Sequence, residues 1–546
     1  MRVVAHRGNR LHAPENSRAA LVSAYTAGAD VLELDVQLTR DDYLVVSHDG
    51  TTERLTGEAG RISEMTLAEL RKLDYSETFK PRNAEQYAYF TRPGRKLAIE
   101  TFPELLDALP RGVTKLIELK HDSSADASRR GTFVGKTIEA LAARGLLGEA
   151  VIYSKDPENL LLARRLAPEV PVAVFDWELP AEDQVALIEK HGADGLVTDL
   201  DTVLGPDGAL TGVGRALERL HAQRKLRLGA ILYPFRNGGT GNFTRQEYEA
   251  LRGHPFVWSL STDSMLDVAP FTRGGSRSVD ESFAGKKIDT ERFALGYAKS
   301  NGYAWVHQED GVRVKIDPYT GPTGPTGAPG SVERQLSELR EQMQYASKDW
   351  PYYSGGGVGL VQGITGPFVA EVDYQVRQVS QATMLEMAVV NVDPGTHQKP
   401  YNADGTPRRV TSFRDKDSFF DPHGAPPFVG VEHDEDDGFR INWNLGTEYD
   451  NNQYGRPVGD GVKPRAGRLR LERRGPYFAA YYRNAVDAPD WVCVGVARND
   501  SLNERVFLRC VAKRWRQERE DDPSRYYPIL DNDYAFTNLT VDRFPG

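Results

Sequence analysis

Cysteine is scarce in this chain of 546 residues, which contains two, Cys493 and Cys510. Two cysteines define no disulfide framework, because such a framework needs several pairs at recurring spacings. Both lie in apolar runs near the C-terminus that predict strands. We therefore expect two buried free thiols, with a bond between them as the alternative.

Long apolar runs and an excess of positive charge are missing as well. No apolar run approaches the roughly 18–20 residues that a membrane-spanning helix needs, so we expect no membrane span. The formal net charge of −10 argues against a nucleic-acid partner, whose phosphates attract basic surfaces. Met1 and Arg2 lead directly into the first apolar run, so we expect no signal peptide. The protein would then stay in the cytoplasm, be exported by another route or leave by lysis of the cell.

The chain does have a set of polar residues at the ends of four short apolar runs near its N-terminus. The runs at residues 3–5, 31–36, 43–47 and 115–119 predict strands. The polar residues at these strand ends are His6 and Arg7, Glu33 and Asp35, His48, and Glu118 and Lys120. Because side chains two residues apart on a strand point the same way, Glu33 shares a face with Asp35, and Glu118 with Lys120. The carboxyl ends of parallel barrel strands meet at one mouth, so we expect one site.

These residue types suit the cleavage of a phosphate diester. Carboxylate oxygens, without clustered cysteine or histidine, favour Ca²⁺ or Mg²⁺ over zinc as a bound cation. A divalent cation with Arg7 and Lys120 would neutralise charge on the phosphoryl oxygens as the ester bond breaks. His6 and His48 can supply a general base and a general acid near neutral pH. The residues therefore indicate metal-assisted phosphodiester cleavage.

Five short motifs occur in this region, and four of them contain these residues. They are Ala5-His6-Arg7-Gly8, Pro14-Glu15-Asn16-Ser17, Glu33-Leu34-Asp35-Val36, Ser47-His48-Asp49 and Ile117-Glu118-Leu119-Lys120. A further segment, Gly192-Ala193-Asp194-Gly195-Leu196-Val197-Thr198-Asp199, follows at the end of the same region. In this combination the motifs closely resemble the glycerophosphodiester phosphodiesterase family over roughly residues 1–200.

The resemblance implies a hydrolase with a TIM (β/α)8 barrel. It implies three metal ligands, an acid/base pair of histidines and two phosphate-binding cations. In this sequence the metal ligands would be Glu33, Asp35 and Glu118, the acid/base pair His6 and His48, and the phosphate-binding residues Arg7 and Lys120. Family members often cleave through a neighbouring hydroxyl of the substrate, giving a cyclic phosphate that water can open.

Short strands alternate with helical stretches over residues 1–200, which predicts a parallel sheet that closes into a barrel. The number of strands is one short at Asp199, and residues 228–233 and 256–260 are both candidates for the eighth strand. We therefore assign residues 1–316 to the barrel.

Residues 200–316 are the atypical part of this region. They contain four aromatic residues that we expect in the core, with the lining of a substrate cleft as the alternative. These residues are Tyr233, Phe235, Trp258 and Trp305.

Residues 317–348 have the composition of a linker. Within residues 321–330 glycine falls at every third position with proline between, the pattern of a collagen triple helix. An apolar seam of two heptads follows, formed by Val332, Leu336, Leu339, Met343 and Ala346. A collagen-like register joined to a short coiled coil predicts a homotrimer. An ordinary amphipathic helix packed on a neighbouring domain is the alternative.

Residues 349–546 show strand patterns only, and their turn density predicts an all-β jelly-roll sandwich. Residues 468–472 and 477–482 predict a hairpin across Arg474 and Gly475. The runs at 469–473 and 478–482, Trp491 and residues 536–539 resemble the concanavalin-like lectin/glucanase jelly rolls, which implies carbohydrate binding. The candidates to stack on sugars are Trp443, Tyr449, Tyr454 and Trp491, of which we expect at least half to be buried. We expect the acidic turn at 433–438 to be solvated, with calcium binding as the alternative.

A barrel esterase, a collagen-like joint and a lectin-like sandwich in one chain resemble a bacteriophage tail-associated enzyme. This implies hydrolysis of glycerophosphodiester bonds in a bacterial surface polymer, such as teichoic acid or a phosphodiester-linked capsule, by a virion tail. Two alternatives remain. One is a cellular phosphodiesterase for small glycerophosphodiesters such as glycerophosphocholine. The other is a non-catalytic receptor-binding tail protein whose barrel only recognises phosphate.

Overall fold

The computed structural model describes residues 1–79, 96–120, 126–235, 241–298, 304–316, 353–378, 383–394, 427–434, 438–445, 453–454, 465–483, 485–486, 490–515, 518–519, 522–526 and 532–545. The chain divides into two compact units, Met1–Gly274 and Gly275–Gly546. No helix within the described ranges is both long enough and apolar enough to cross a membrane.

The first unit is built on a closed sheet of mainly parallel strands. Its strands are β1 (Arg2–Ala5), β2 (Val31–Leu38), β3 (Leu44–Val46), β4 (Thr114–Leu119), β5 (Ala150–Ser154), β6 (Val172–Val174), β7 (Gly195–Asp199), β8 (Gly229–Tyr233) and β9 (Val257–Thr262). Eight of these nine strands, all except β3, pair in parallel. β1 pairs with both β2 and β9, which closes the barrel. The predicted parallel barrel is confirmed.

The strand before His48 belongs to this sheet but is not one of its eight parallel strands. We predicted residues 43–47 as one of the barrel strands, but β3 pairs antiparallel with the end of β2. The connection from Leu38 to Leu44 is too short for the crossover that a parallel pair requires. Two further strands are therefore needed after Asp199, and the two candidates supply them as β8 and β9.

Helices alternate with the barrel strands. They are α1 (Arg18–Thr26), α2 (Glu53–Thr56), α3 (Leu67–Leu70), α4 (Phe102–Ala108), α5 (Ala127–Ala142), α6 (Pro157–Leu166), α7 (Ala181–His191), α8 (Leu200–Val203), α9 (Gly212–Arg224), α10 (Arg245–Leu251) and α11 (Met265–Thr272), with 3₁₀ turns at Ile62–Glu64 and Leu147–Glu149. Ser17, Thr66 and Thr101 are N-caps whose side chains accept hydrogen bonds from first-turn N–H groups. These caps satisfy backbone donors that the helices cannot pair internally, and so fix where the helices begin.

The first unit ends earlier than the sequence suggested. We predicted that the barrel region extends to residue 316, but the compact unit ends at Gly274. Strands Ser276–Glu281 and Val312–Ile316 both pair with Asn532–Arg543, the last strand of the chain. Residues 275–316 therefore belong to the second unit. A local sequence pattern cannot reveal this, because the pairing partner lies more than 200 residues away.

The second unit consists of antiparallel strands. They are β10 (Ser276–Glu281), β11 (Phe293–Ala298), β12 (Ala304–Gln308), β13 (Val312–Ile316), β14 (Tyr353–Leu360), β15 (Ile364–Thr365), β16 (Phe368–Gln378), β17 (Thr383–Val390), β18 (Phe428–Asp434), β19 (Gly438–Asn444), β20 (Gln453–Tyr454), β21 (Ala466–Arg474), β22 (Tyr477–Arg483), β23 (Val492–Arg498), β24 (Arg505–Trp515), β25 (Glu518–Arg519), β26 (Asp522–Tyr526) and β27 (Asn532–Arg543). They form two eight-stranded sheets and one two-stranded sheet. The rings of Phe439 on β19 and Tyr482 on β22 stack with centroids 3.7 Å apart, so the two large sheets face each other.

Several details of this unit agree with the sequence. β21 and β22 form the predicted hairpin, with Gly475 at a φ of 59° in its turn. Cys493 and Cys510 are both buried and free. Of the candidates for sugar stacking, Trp491 is buried and Trp443 is half-buried, so the expectation that at least half of the four are buried stays a prediction. The jelly-roll order stays a prediction. The collagen-like triplets, the heptad seam, Tyr449 and the middle of the acidic turn lie outside the described residues.

Candidate active site

Two neighbouring barrel strands carry three buried carboxylates. Glu33 and Asp35 lie two residues apart on β2 and are both fully buried. Glu118, on β4, is the register partner of Asp35 and is buried as well. Parallel pairing of β2 with β4 therefore brings together the three residues that the sequence singled out as acidic ligands.

A hairpin brings His48 to the same level. β2 continues to Leu38, and the chain returns as β3, so that the Ser47 backbone N–H donates to the Asp35 carbonyl at 3.0 Å. His48 follows, with Nδ1 2.6 Å from Asp49 Oδ1. This hydrogen bond from His48 holds the pKa of Asp49 well below its usual range. Because a carboxylate can only accept, His48 Nδ1 carries the proton, and Nε2 is the nitrogen left for chemistry.

Asp35, His48 and Glu118 form a group that could hold a metal ion. Each offers one ligand atom, and the three atoms lie within 4.8 Å of one another. The Lys120 ammonium nitrogen lies 2.8 Å from Glu118 Oε1 and 3.5 Å from Asp35 Oδ1. Burial lowers the pKa of Lys120, but the two carboxylates raise it by more, and the net shift is upward. Lys120 is therefore charged at neutral pH.

Glu33 is held by two donors. Its Oε2 accepts the backbone N–H of Arg7 and its Oε1 accepts the Tyr153 hydroxyl, both at 2.7 Å. Burial, and then the charge of Asp35, raise the pKa of Glu33 well above its ordinary value. The group of three potential ligands within 4.8 Å of one another thus includes His48, whereas the sequence predicted Glu33 as the third ligand. Each Glu33 oxygen keeps a second lone pair that could bind a cation, and its role as a ligand stays a prediction.

The charge balance fits a hard divalent cation. Among the described residues, the three carboxylates outnumber the two cationic side chains that contact them, Arg7 and Lys120. Burial raises the pKa of Glu33 and Glu118, because charged carboxylates are costly out of water. Asp35 Oδ1 is buried and accepts no hydrogen bond from any described residue. A cation bound here would offset the negative charge and use this oxygen, and a set of carboxylate oxygens suits Ca²⁺ or Mg²⁺.

The turn after β1 positions Arg7. Arg7 and Gly8 have left-handed φ values of 56° and 81°. A Cβ on Gly8 would lie 2.4 Å from the Ala20 backbone carbon, so only glycine fits there. The guanidinium of Arg7 reaches Glu15 Oε1 at 3.2 Å and Asp35 Oδ2 at 3.4 Å. The turn therefore places a permanent positive charge beside the acidic cluster.

His6, at the end of β1, is oriented by a residue from the last barrel strand. Its Nδ1 lies 2.9 Å from Oδ1 of Asp263, which follows β9 and also accepts from Arg10 Nη2 at 2.7 Å. Burial, and then the charge of Arg7, lower the pKa of His6 to about 4, although Asp263 opposes the shift. His6 is therefore neutral at pH 7. Its Nδ1–H is donated to the carboxylate, which makes Nε2 the basic nitrogen.

Arg54, on α2, links the surroundings of His48 to those of Arg7. Its Nη1 and Nη2 lie 3.0 and 2.6 Å from the two carboxylate oxygens of Glu15, and its Nε donates to Asp49. Glu15 in turn accepts from Arg7, and Asp49 is bonded to His48. One guanidinium therefore holds the two carboxylates that orient a catalytic candidate and a phosphate-binding candidate.

Aromatic rings line the His6 side of the mouth. The ring centroids of Tyr233 and Phe235 lie 5.1 and 5.9 Å from that of His6. Trp177, in the loop after β6, lies 5.2 Å from Phe235. The sequence predicted core positions for Tyr233, Phe235, Trp258 and Trp305, and the side chain of Trp305 lies outside the described residues. The prediction is right for Tyr233, which is buried, and for Trp258, which packs against the core, but wrong for Phe235, which is 46% exposed.

Sequence reasoning missed Asp263, Arg54, Tyr153 and Trp177. Asp263, like the other polar residues of the site, follows an apolar run. That run was only one of two candidates for the eighth strand, so Asp263 was not singled out. Tyr153 lies within the apolar strand β5, where nothing in the sequence shows that its hydroxyl reaches Glu33. Arg54 and Trp177 lie in a short helix and a loop, where no periodicity marks them.

Residues 6–198 match the model described as the Glycerophosphoryl diester phosphodiesterase family. The glycerophosphodiester phosphodiesterase of Caldanaerobacter subterraneus subsp. tengcongensis is 29% identical over 228 residues, which cover 36% of this chain and 93% of that protein. The glycerophosphodiester phosphodiesterase of Bacillus subtilis is 30% identical over 178 residues, which cover 31% of this chain and 57% of that protein. The chain thus spans less than two thirds of the Bacillus relative.

Solved structures with a similar chain trace include an Oleispira antarctica phosphodiesterase in complex with the product sn-glycerol-3-phosphate. It is 19% identical, with a TM-score of 0.39, over 50% of this chain and 97% of that one. A glycerophosphodiester phosphodiesterase from Agrobacterium tumefaciens is 23% identical, with a TM-score of 0.38, over 50% of this chain and 99% of that one.

Proposed function

We propose that this chain, a glycerophosphodiester phosphodiesterase in its first unit, hydrolyses its substrate with a divalent cation held at the barrel mouth. The observation that carries the proposal is the group formed by Asp35, His48 and Glu118, whose ligand atoms lie within 4.8 Å of one another. We propose Glu33, Asp35 and Glu118 as the cation's ligands. A cation there would withdraw charge from the phosphoryl oxygens as the ester bond breaks.

Arg7 and Lys120 would bind the phosphate. Both are cationic and both contact Asp35, at 3.4 and 3.5 Å. Their donors approach the acidic group from two different strand ends, since Arg7 follows β1 and Lys120 follows β4. A phosphate bound between them would be oriented as well as neutralised, because the Arg7 fork can donate two parallel hydrogen bonds.

His6 and His48 would move the protons. His6 is neutral at pH 7 and presents Nε2, so it would take the proton from the attacking oxygen. Asp263 then stabilises the resulting imidazolium, because it faces Nδ1 at 2.9 Å. His48, bonded to Asp49 through Nδ1, would in its imidazolium form donate the Nε2 proton to the leaving oxygen. The attacking oxygen would be a neighbouring hydroxyl of the substrate, as the family resemblance implies.

We also propose a bacterial surface polymer, such as teichoic acid or a phosphodiester-linked capsule, as the substrate and a virion tail as the location. Support comes from the architecture of the chain. The two facing sheets of the second unit suit a glycan-binding domain. The collagen-like triplets and heptad seam would form a homotrimer, which would hold several barrels near one polymer and increase avidity.

Turnover measured on purified glycerol-phosphate teichoic acid and on glycerophosphocholine, each with and without EDTA, tests these proposals. We expect preference for the polymer, lost with EDTA and in His6→Ala. Turnover restricted to glycerophosphocholine would support a cellular phosphodiesterase. Polymer binding without turnover of either compound would support a receptor-binding protein. Light scattering of the full chain and of a Leu336→Glu, Leu339→Glu variant tests the trimer, and an unchanged mass would contradict the coiled coil.

A further inference from the structure

Two exposed aromatic rings contact each other, one of them lies beside His6, and neither has a part in the chemistry proposed above. Trp177 and Phe235 are 39% and 46% exposed. Their ring centroids are 5.2 Å apart and their planes are at 89°, and Phe235 lies 5.9 Å from His6. Single exposed aromatic residues are ordinary on protein surfaces. Two that touch each other next to a proton-transfer group are less easily explained by chance.

The barrel fixes the positions of these rings. Trp177 follows β6 and Phe235 follows β8, and β7 lies between those strands in the sheet. The two rings therefore meet across the carboxyl end of β7. Buried Tyr233 stacks on Phe235 at 5.1 Å with an angle of 15°, and its edge contacts His6. The aromatic pair is thus supported by a buried side chain that also packs against the proposed base.

We propose that Trp177 and Phe235 bind a C–H-rich face of the alcohol that the substrate presents on the His6 side of its phosphate. This inference rests on the proposed function, because it assumes a phosphodiester at the barrel mouth. Arg7 and Lys120 would hold the phosphate, and each lies beside the acidic cluster. One alcohol of the diester must then extend towards His6 and the exposed rings.

The chemistry of the rings narrows the class of that alcohol. Aromatic faces carry negative electrostatic potential and attract polarised C–H groups. A sugar-like ring and a trimethylammonium group both present such a face, whereas glycerol does not. Asp176 and Glu178, which flank Trp177, lie 3.7 and 2.5 Å from the ammonium of Lys155. Lys155 therefore partly compensates the negative charge of these two carboxylates, and the aromatic rings supply the principal contact to the alcohol.

Steady-state kinetics of Trp177→Ala and Phe235→Ala on three diesters test the proposal. Glycerophosphoinositol carries a ring, glycerophosphocholine carries a trimethylammonium group, and glycerophosphoglycerol carries neither. In each variant we expect KM for glycerophosphoinositol or glycerophosphocholine, or for both, to rise about tenfold more than KM for glycerophosphoglycerol. We expect kcat to show no such difference between the diesters. Trp177→Phe, which keeps an aromatic face, should recover most of the selectivity. Leu161→Ala, at a site that is also 39% exposed, on α6, is the control.

The outcomes separate the two possible sources of the C–H face. A selective rise in KM for the inositol diester identifies a sugar-like ring as the bound group. A selective rise in KM for the choline diester identifies a trimethylammonium group, and either result supports the subsite. Equal rises for all three diesters, or no rise, would overturn it. Isothermal titration with the same diesters of the full chain carrying His6→Ala, which removes the proposed base, measures binding at the subsite without turnover. If no diester is hydrolysed but Trp177→Ala still weakens binding selectively, the proposed function fails and the subsite stands.

Discussion

His6 and Asp263 lie 257 positions apart in the chain, yet Nδ1 of His6 is 2.9 Å from Oδ1 of Asp263. The pairing of β1 with β9, which closes the barrel, brings them together. A Cβ on Gly241 would lie 2.0 Å from Asp263 Oδ2, so the carboxylate is tightly enclosed. The proposed base is thus completed by a residue beyond the segment 6–198 that matches the family model.

Replacing Asp263 with asparagine should lower kcat about a hundredfold and leave KM nearly unchanged. The His6 imidazole would lose the anion that holds its Nδ1 proton and stabilises its charged form. Steady-state kinetics at pH 7 measure the effect. Glu189→Gln, an exposed position on α7, is the control. A change confined to KM would show that Asp263 does not act through the base.

The activity of the unmodified enzyme should depend on pH through His6. Burial and the charge of Arg7 lower the pKa of His6 to about 4, so the neutral base predominates above that pH. We therefore expect kcat/KM to fall only as the pH drops through about 4. Asp263 raises the pKa of His6, so the acidic limb should move to lower pH in Asp263→Asn. A pH–rate profile checks both, and a limb near pH 6.5 would contradict the assignment.

Arg54→Lys should reduce kcat/KM about tenfold. A lysine ammonium cannot span Glu15 and Asp49 in the forked geometry that Arg54 adopts. Both His48 and Arg7 would then lose part of their orientation. Arg61→Lys, at an exposed position, provides the matched control. Full activity of Arg54→Lys would mean that the two carboxylates keep their positions without the bridge.

Glu118→Gln should weaken Mg²⁺ or Ca²⁺ binding by at least about tenfold, measured by isothermal titration, because a buried carboxylate ligand is lost. Glu33→Gln should weaken it by a similar factor, since we propose Glu33 as a ligand. His48→Asn should lower kcat more than cation affinity. The reverse result, with affinity kept in Glu33→Gln and lost in His48→Asn, would transfer the ligand role to His48.

Gly8→Ala should lower the free energy of unfolding by about 2 kcal/mol or more, because the new Cβ meets backbone atoms at a left-handed φ. Thermal unfolding measures the change. Gly135→Ala, within α5 and with open space around it, is the contrasting variant. We expect it to be neutral or to stabilise by about 0.5–1 kcal/mol, since alanine favours helix. Equal destabilisation by both substitutions would refute the steric argument.

The sequence was sufficient for the barrel and for the residues at its first strand ends. Apolar runs that end in polar residues mark parallel strands well, and Glu33, Asp35 and Glu118 converge because β2 pairs with β4. The direction of β3 was missed, since an apolar run reads the same in either orientation. Only the short connection from Leu38 to Leu44 indicates that β3 runs antiparallel to β2.

Long-range pairing and exposure were beyond the sequence pattern. Asp263 meets His6 only because the barrel closes, and the boundary at Gly274 depends on strands that pair with the distant β27. Phe235 is as apolar as a core residue, and its exposure follows from its place at the end of β8. Such features depend on which distant segments meet, which local composition does not encode.

The late pairing of β27 also sets an order of events during synthesis. β1 can pair with β9 once residue 262 has emerged from the ribosome. β13 must wait longer, because Arg313 and its partner Asp533 on β27 are 220 positions apart. A nascent chain therefore passes through a stage in which the barrel can close while β10 and β13 still present unpaired edges. Such edges invite pairing with other chains, so we expect the nascent chain to be able to aggregate through them until β27 appears.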